Sequence, residues 1–128
     1  MTLRRPKLIG RNYWREIMNE AKLIKNTASY HDYLIASLKD PNEAYGYLQV
    51  AIEEYQLDND AEALLVALRN IADAQGGMTE LARKTHLNRQ NLYNILSKKG
   101  NPRLDTFGIV LKGLGFKLTI EQDKSQAA

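Results

Sequence analysis

Apolar residues recur along most of this chain at steps of three and four, and near its end at steps of two. The first period marks helix faces, the second a half-buried strand. Asn12 can cap a helix running to about Lys25, with Tyr13, Ile17, Ala21 and Ile24 on one face. A second helix is predicted from Ser29, with Asp32 three residues on as a variant capping box and Tyr30, Tyr33, Leu34 and Leu38 as its stripe. Asp40-Pro41-Asn42-Glu43 is a stronger start. Asp40 can cap, Pro41 suits the first helical position, and Glu43 can reach back to the cap amide. Ala44, Tyr47, Leu48, Ala51, Ile52 and Tyr55 then follow at helical spacing. Behind Asp58-Asn59-Asp60 a further helix, about Ala61 to Gln75, carries Leu64, Leu68, Ile71 and Ala72. Gly76-Gly77 ends it, because glycine accepts the left-handed conformation after a helix.

Between Met78 and Ser97 the pattern tightens into two short helices joined by a turn. Leu81 and Ala82 lie on the first, Leu87 follows the turn, and Leu92, Ile95 and Leu96 share one face of the second. Asn88 can cap the second helix. Arg89, Gln90 and Asn91 then occupy its first exposed turn, the part of a recognition helix that reaches base edges. This is the spacing of a helix-turn-helix with Arg89, Gln90 and Asn94 toward a DNA major groove; an ordinary helical hairpin with polar outer faces is the plainer reading. Tyr93 leans outward and could touch the DNA backbone or a thymine methyl. Thr79, Asn91, Lys98, Lys99 and Asn101 are the expected phosphate contacts.

Gly100-Asn101-Pro102 breaks the chain, and Leu104, Phe107, Leu111 and Leu114 mark a last helix ended by Gly113 and Gly115. Phe116-Lys-Leu-Thr-Ile-Glu121 alternates at period two, as a half-buried strand does. A lone strand has unpaired edges, and the chain offers no second one, so Phe116, Leu118 and Ile120 are expected to pair with their copies in a homodimer. The predicted class is all-α. Residues 1–28 form a basic extension of arm plus amphipathic helix, 29–121 a helix-turn-helix domain closed by that strand, and 122–128 a frayed tail.

Charge sharpens the picture. Over the 128 residues the net charge is only +3, but residues 1–28 hold seven Lys/Arg against two Glu, and residues 77–103 six against one. Residues 29–75 hold two against nine. A basic segment around the paired helices and an acidic body elsewhere is the footprint a phosphate backbone selects, although solvated helix faces carry charge too. There is no cysteine, which excludes disulfides and thiolate metal sites and fits a reducing cytoplasm. No apolar run approaches the ~20 residues of a membrane span, and the N-terminus lacks a signal-peptide core.

Enzymatic readings find little to hold. His31 and His86 have no ligand-spaced neighbour. Asp58-Asn-Asp-Ala-Glu62 begins like a calcium loop but has Ala63 and Arg69 where glycine and glutamate are needed. Gly113-Leu-Gly115 precedes a strand pattern rather than a helix. Ser97-Lys98-Lys99 lacks a base at any recognisable spacing. No enzyme, metal or cofactor is expected. For residues 1–28 three roles stay open: a helix packing Trp14 and Ile17 on the acidic body, a DNA arm using Arg4, Arg5, Lys7 and Arg11, or an element whose apolar stripe docks in a groove of a protein partner.

Residues from about Ser29 to Glu121 resemble the addiction-module antidote proteins, HigA-like antitoxins with a Cro/C1 (lambda repressor-like) helix-turn-helix. The likeness rests on Tyr30-His-Asp-Tyr-Leu34, the helix at 61–74, Gly77-Met-Thr-Glu-Leu-Ala82 and Leu87-Asn-Arg-Gln-Asn-Leu-Tyr93. Leu96-Ser97 before Gly100-Asn-Pro102, and the close at 111–120, complete it. The resemblance implies a homodimeric repressor that binds a palindromic operator in double-stranded DNA and neutralises a cognate toxin. A plain Cro/C1-type repressor without a toxin, and an interaction module using the motif as scaffold, are the alternatives. Two departures stand out. His86 occupies the turn position usually held by glycine, which places a histidine in a tight or left-handed conformation. The extension at 1–28 lies outside the likeness.

Overall fold

Local cap chemistry sets where the helices begin and end. The computed structural model describes residues 14–16, 28–97 and 101–126. Within them lie α1 (Ala28–Ser37), α2 (Pro41–Asp58), α3 (Ala61–Ala74), α4 (Met78–Thr85), α5 (Arg89–Ile95) and α6 (Leu104–Gly113), preceded by a helical stretch at 14–16. The protein is all-α, with no strand among the described residues. Asp40 caps α2 by accepting from the Asn42 amide at 2.9 Å, and Asp60 caps α3 by accepting from Glu62 at 3.0 Å. The predicted back-bond from Glu43 is replaced: the Asp40 amide donates to the Ser37 carbonyl at 3.2 Å, so the turn itself satisfies it. The start of the second predicted helix also moves. Ala28 is already helical, so Ser29 lies inside α1 and is not its cap.

Helix α3 is the centre of the packing, with α1, α2 and α4 against it, while α4 also packs on α5 and α6. Leu64, Leu65, Ala67, Leu68, Ile71 and Ala72 are buried along α3. Leu34 from α1 and Leu38 just after it, Tyr47, Leu48 and Val50 from α2, and Val110 and Leu111 from α6 complete one continuous core. Burying each large aliphatic side chain contributes about 1.5–3 kcal/mol, which outweighs the weak intrinsic propensity of the shorter helices. One tyrosine departs from the predicted stripe of α2, Tyr55, and Tyr45 beside that stripe is exposed with it. Tyr47 is buried, but Tyr45 and Tyr55 are exposed, because they project from the sides of a helix that meets the core along one face only.

Helices α3 and α6 end alike. The Gly77 amide donates to the Ala72 carbonyl at 2.8 Å, and the Phe116 amide to Leu111 at 2.8 Å, with Gly76 and Gly115 at positive φ. Both are Schellman closures. The second aims Phe116 back at the core, where its ring stacks on Tyr45 with centroids 6.4 Å apart.

The expected strand at 116–121 does not form. A strand exists only through a ladder with a neighbour, and no other extended segment within the described chain meets this one. The alternation shows instead as a gradient of exposure, with Phe116 half-buried, Leu118 51% exposed and Ile120 99% exposed. The tail expected to fray makes a short 3-10 turn at Lys124–Gln126, where the Ser125 amide donates to the Asp123 carboxylate.

Of the extension, Trp14 is fully buried and meets Tyr47 edge-on at 5.1 Å, the geometry aromatic quadrupoles favour. Arg15 bridges Glu53 and Glu54 of α2 at 2.7 and 3.0 Å. This agrees with the packing role for that helix as far as the description reaches; Ile17 and the arm residues Arg4, Arg5, Lys7 and Arg11 lie outside it.

Candidate nucleic-acid interface

Helices α4 and α5 are the unit in which sequence reading places the helix-turn-helix. Leu81 on α4 and Leu92 and Leu96 on and after α5 are buried, with Ala82, Leu87 and Ile95 partly so. This apolar wedge turns the opposite face of α5 outward. Asn88, extended at φ −66 and ψ 133, caps α5 as expected: its Oδ1 accepts from the Gln90 amide at 2.8 Å and the Asn91 amide at 3.2 Å. Those bonds hold the first turn of α5 in place and leave its side chains to solvent. Arg89, Gln90, Asn91 and Asn94 are all exposed, and Tyr93 is half-buried.

Arg89 and Tyr93 are not independent. The guanidinium carbon lies 5.5 Å from the centre of the Tyr93 ring, and Nη2 reaches the phenol oxygen at 3.5 Å. This contact between residues four apart orients the arginine along the outer face of α5; an exposed cation–π contact contributes about 0.5–1 kcal/mol.

The turn holds what the sequence required. His86 ends α4 at φ 57 and ψ 27, in the left-handed region where glycine would be unstrained. Its support was not foreseen. The Thr85 hydroxyl donates to the Leu81 carbonyl at 2.8 Å, and its oxygen accepts from the Leu87 amide at 3.3 Å. One side chain thus satisfies groups on both sides of the turn. A threonine just before a left-handed residue was the available signal.

Thr79, exposed in the first turn of α4, follows Gly77, which offers no side-chain cap. Farther along α4, Arg83 bonds Glu80 through Nε at 3.1 Å and through Nη2 as well. The Arg83 guanidinium holds the Glu80 carboxyl below the usual range, and the carboxylate raises Arg83 in turn. Lys84 beside it is exposed. Asn101 is exposed but lines a different groove, beside Leu104, Phe107 and Tyr45. Lys98 and Lys99 lie outside the described residues. No described helix is long and apolar enough to cross a membrane.

Fold and site together define an all-α protein whose short helix α5 presents a polar face outward over a buried apolar one. A family model described as "Probable addiction module antidote protein" matches residues 27–122, and the chain belongs to that family. The chain is also 32% identical over 77 residues to an uncharacterized protein of Haemophilus influenzae, the match covering 60% of this chain and 78% of that one. No solved structure matches it.

Proposed function

We propose that this chain is the antitoxin of a type II toxin–antitoxin module. As a homodimer in the cytoplasm it represses its own operon through a Cro/C1-type helix-turn-helix formed by α4 and α5, and it neutralises a cognate toxin by direct binding. The observation that carries the DNA-binding half is the outward display of Arg89, Gln90 and Asn94 from the capped first turns of α5. Arginine suits a bidentate contact to guanine, and glutamine or asparagine suits adenine. Tyr93 borders the same surface. Thr79, Asn91, Lys98 and Lys99 supply phosphate contacts, Thr79 from an α4 N-terminus whose amides favour an anion, while Asn101, in the groove beside Leu104, is not among them. The dimer forms through Phe116, Leu118 and Ile120. Family membership supports the toxin-binding half.

Two measurements test the two halves. Gel-shift titration against the DNA upstream of its own gene should give a specific complex that Arg89→Ala weakens. Co-expression with the product of the adjacent gene should give a co-purifying complex and relieve growth arrest. Operator binding without any such partner would favour a plain Cro/C1-type repressor, and a toxin complex without operator binding would leave the helix pair as scaffold.

A further inference from the structure

The segment after α6 carries more apolar surface than a finished fold should show. Ile120 is 99% and Leu118 51% exposed, and Leu104 on the neighbouring helix is 76% exposed. Within the described residues the backbone of 117–121 makes no hydrogen bond, and neither Lys117 nor Glu121 has an ion-pair partner. Its start is fixed, since the Phe116 amide is spent on Leu111 and its ring on Tyr45. The free stretch is therefore 117–121, and its midpoint is Thr119.

We propose that this stretch pairs antiparallel with the same stretch of a second copy, with Thr119 on the two-fold axis. The inference rests on the homodimer reading above and adds its register. Centred there, Lys117 faces Glu121 of the partner subunit, Leu118 faces Ile120 of the partner subunit, and Thr119 faces its own copy. Opposite charges, apolar pairs and threonine pairs are each favourable across strands. A register centred on Leu118 would set Lys117 against threonine and draw the already bonded Phe116 into the ladder. One centred on Ile120 would set Leu118 against Gln122. Only the Thr119 register matches every side chain of the free stretch, and the ladder it forms bonds alternate residues of the backbone. The apolar face then closes over the groove between α2 and α6, where a Cβ added to Gly108 would lie 4.0 Å from Leu118 Cδ1.

Sedimentation equilibrium of the full chain without DNA reads this directly. Lys117→Glu and Glu121→Lys should each weaken the dimer about tenfold, since both place like charges opposite at two symmetric sites. An equimolar mixture of the two should recover wild-type affinity, because the heterodimer restores both pairs. The chain has no cysteine, so Thr119→Cys should cross-link to its copy under mild oxidation while Leu118→Cys should not. Circular dichroism checks that each variant keeps its helices. Wild type that stays monomeric would overturn self-pairing and leave the surface to another protein. Dimers indifferent to the charge swaps, or cross-linking at 118 in place of 119, would overturn the register. Operator binding is measured separately, so a failure there does not imitate either outcome.

Discussion

Gly113 lies against Thr85 so closely that a Cβ added to it would fall 2.7 Å from the threonine methyl and 3.0 Å from Leu81 Cδ1. Helices α4 and α6 meet at that point, one residue before the left-handed turn into α5. Gly113→Ala should therefore cost about 1–3 kcal/mol of stability, as overpacking does. Thr85→Ser, which removes the methyl and keeps the bridging hydroxyl, should recover part of that loss in the double variant. Urea denaturation of the four proteins of this cycle gives the coupling, and additive losses would show that the two sites do not touch.

On DNA, Arg89→Ala or Gln90→Ala should cost about 1–3 kcal/mol on the operator and relax preference at one base position. Lys98→Ala and Lys99→Ala should weaken all sequences alike and flatten the salt dependence. Titrations at two salt concentrations separate these cases, and undiminished operator affinity in Arg89→Ala would remove α5 from the interface.

His86 holds a backbone conformation that costs a side-chain-bearing residue about 1–2 kcal/mol, while glycine adopts it freely at some cost in unfolded-state entropy. His86→Gly should leave stability unchanged or raise it by up to about 1 kcal/mol. A β-branched residue there, such as His86→Val, should lower it. Thermal melts rank the three, and a glycine variant that melts several degrees lower would mean that the imidazole makes a contact of its own.

Burial pushes the Tyr47 phenol up to about 12, although the hydrogen bond from Asn70 at 3.0 Å works the other way. An unfolded tyrosine ionises near 10. Below pH 10 both states keep the proton and the contribution is whole. Between pH 10 and 12 only the unfolded state loses it, so stability falls as pH rises, by roughly 2–3 kcal/mol from this group. Denaturation midpoints from pH 9 to 12 should fall more steeply in wild type than in Tyr47→Phe; parallel curves would show that Tyr47 ionises without unfolding.

Much of this was legible in the chain because it is local. Asp40 and Asn88 cap within three residues of themselves, Gly76 and Gly115 turn the chain where they stand, and His86 stands where a tight or left-handed turn was expected. What was missed depends on distant partners. Ser29 reads as a cap and is not one, since Ala28 is already helical. Tyr55 shares helical spacing with buried neighbours but flanks the contact face. Gly113 reads as a helix terminator, and only the approach of α4 makes its missing side chain a packing requirement. The period of two at 116–121 is real, yet alternation states a preference and a ladder needs a neighbour.

The Phe116 closure also works as a ruler. From the Thr85 contact at the turn, the path runs through Gly113 and the last turn of α6 to Phe116, and the pairing stretch begins at the next residue. In a dimer joined at Thr119, no loop lies between the element that would read a half-site and the element that sets the distance to the next. The spacing between the two α5 helices is then a property of the fold. Operators with one base pair inserted at the centre should be rejected, where a tethered pair of readers would tolerate them.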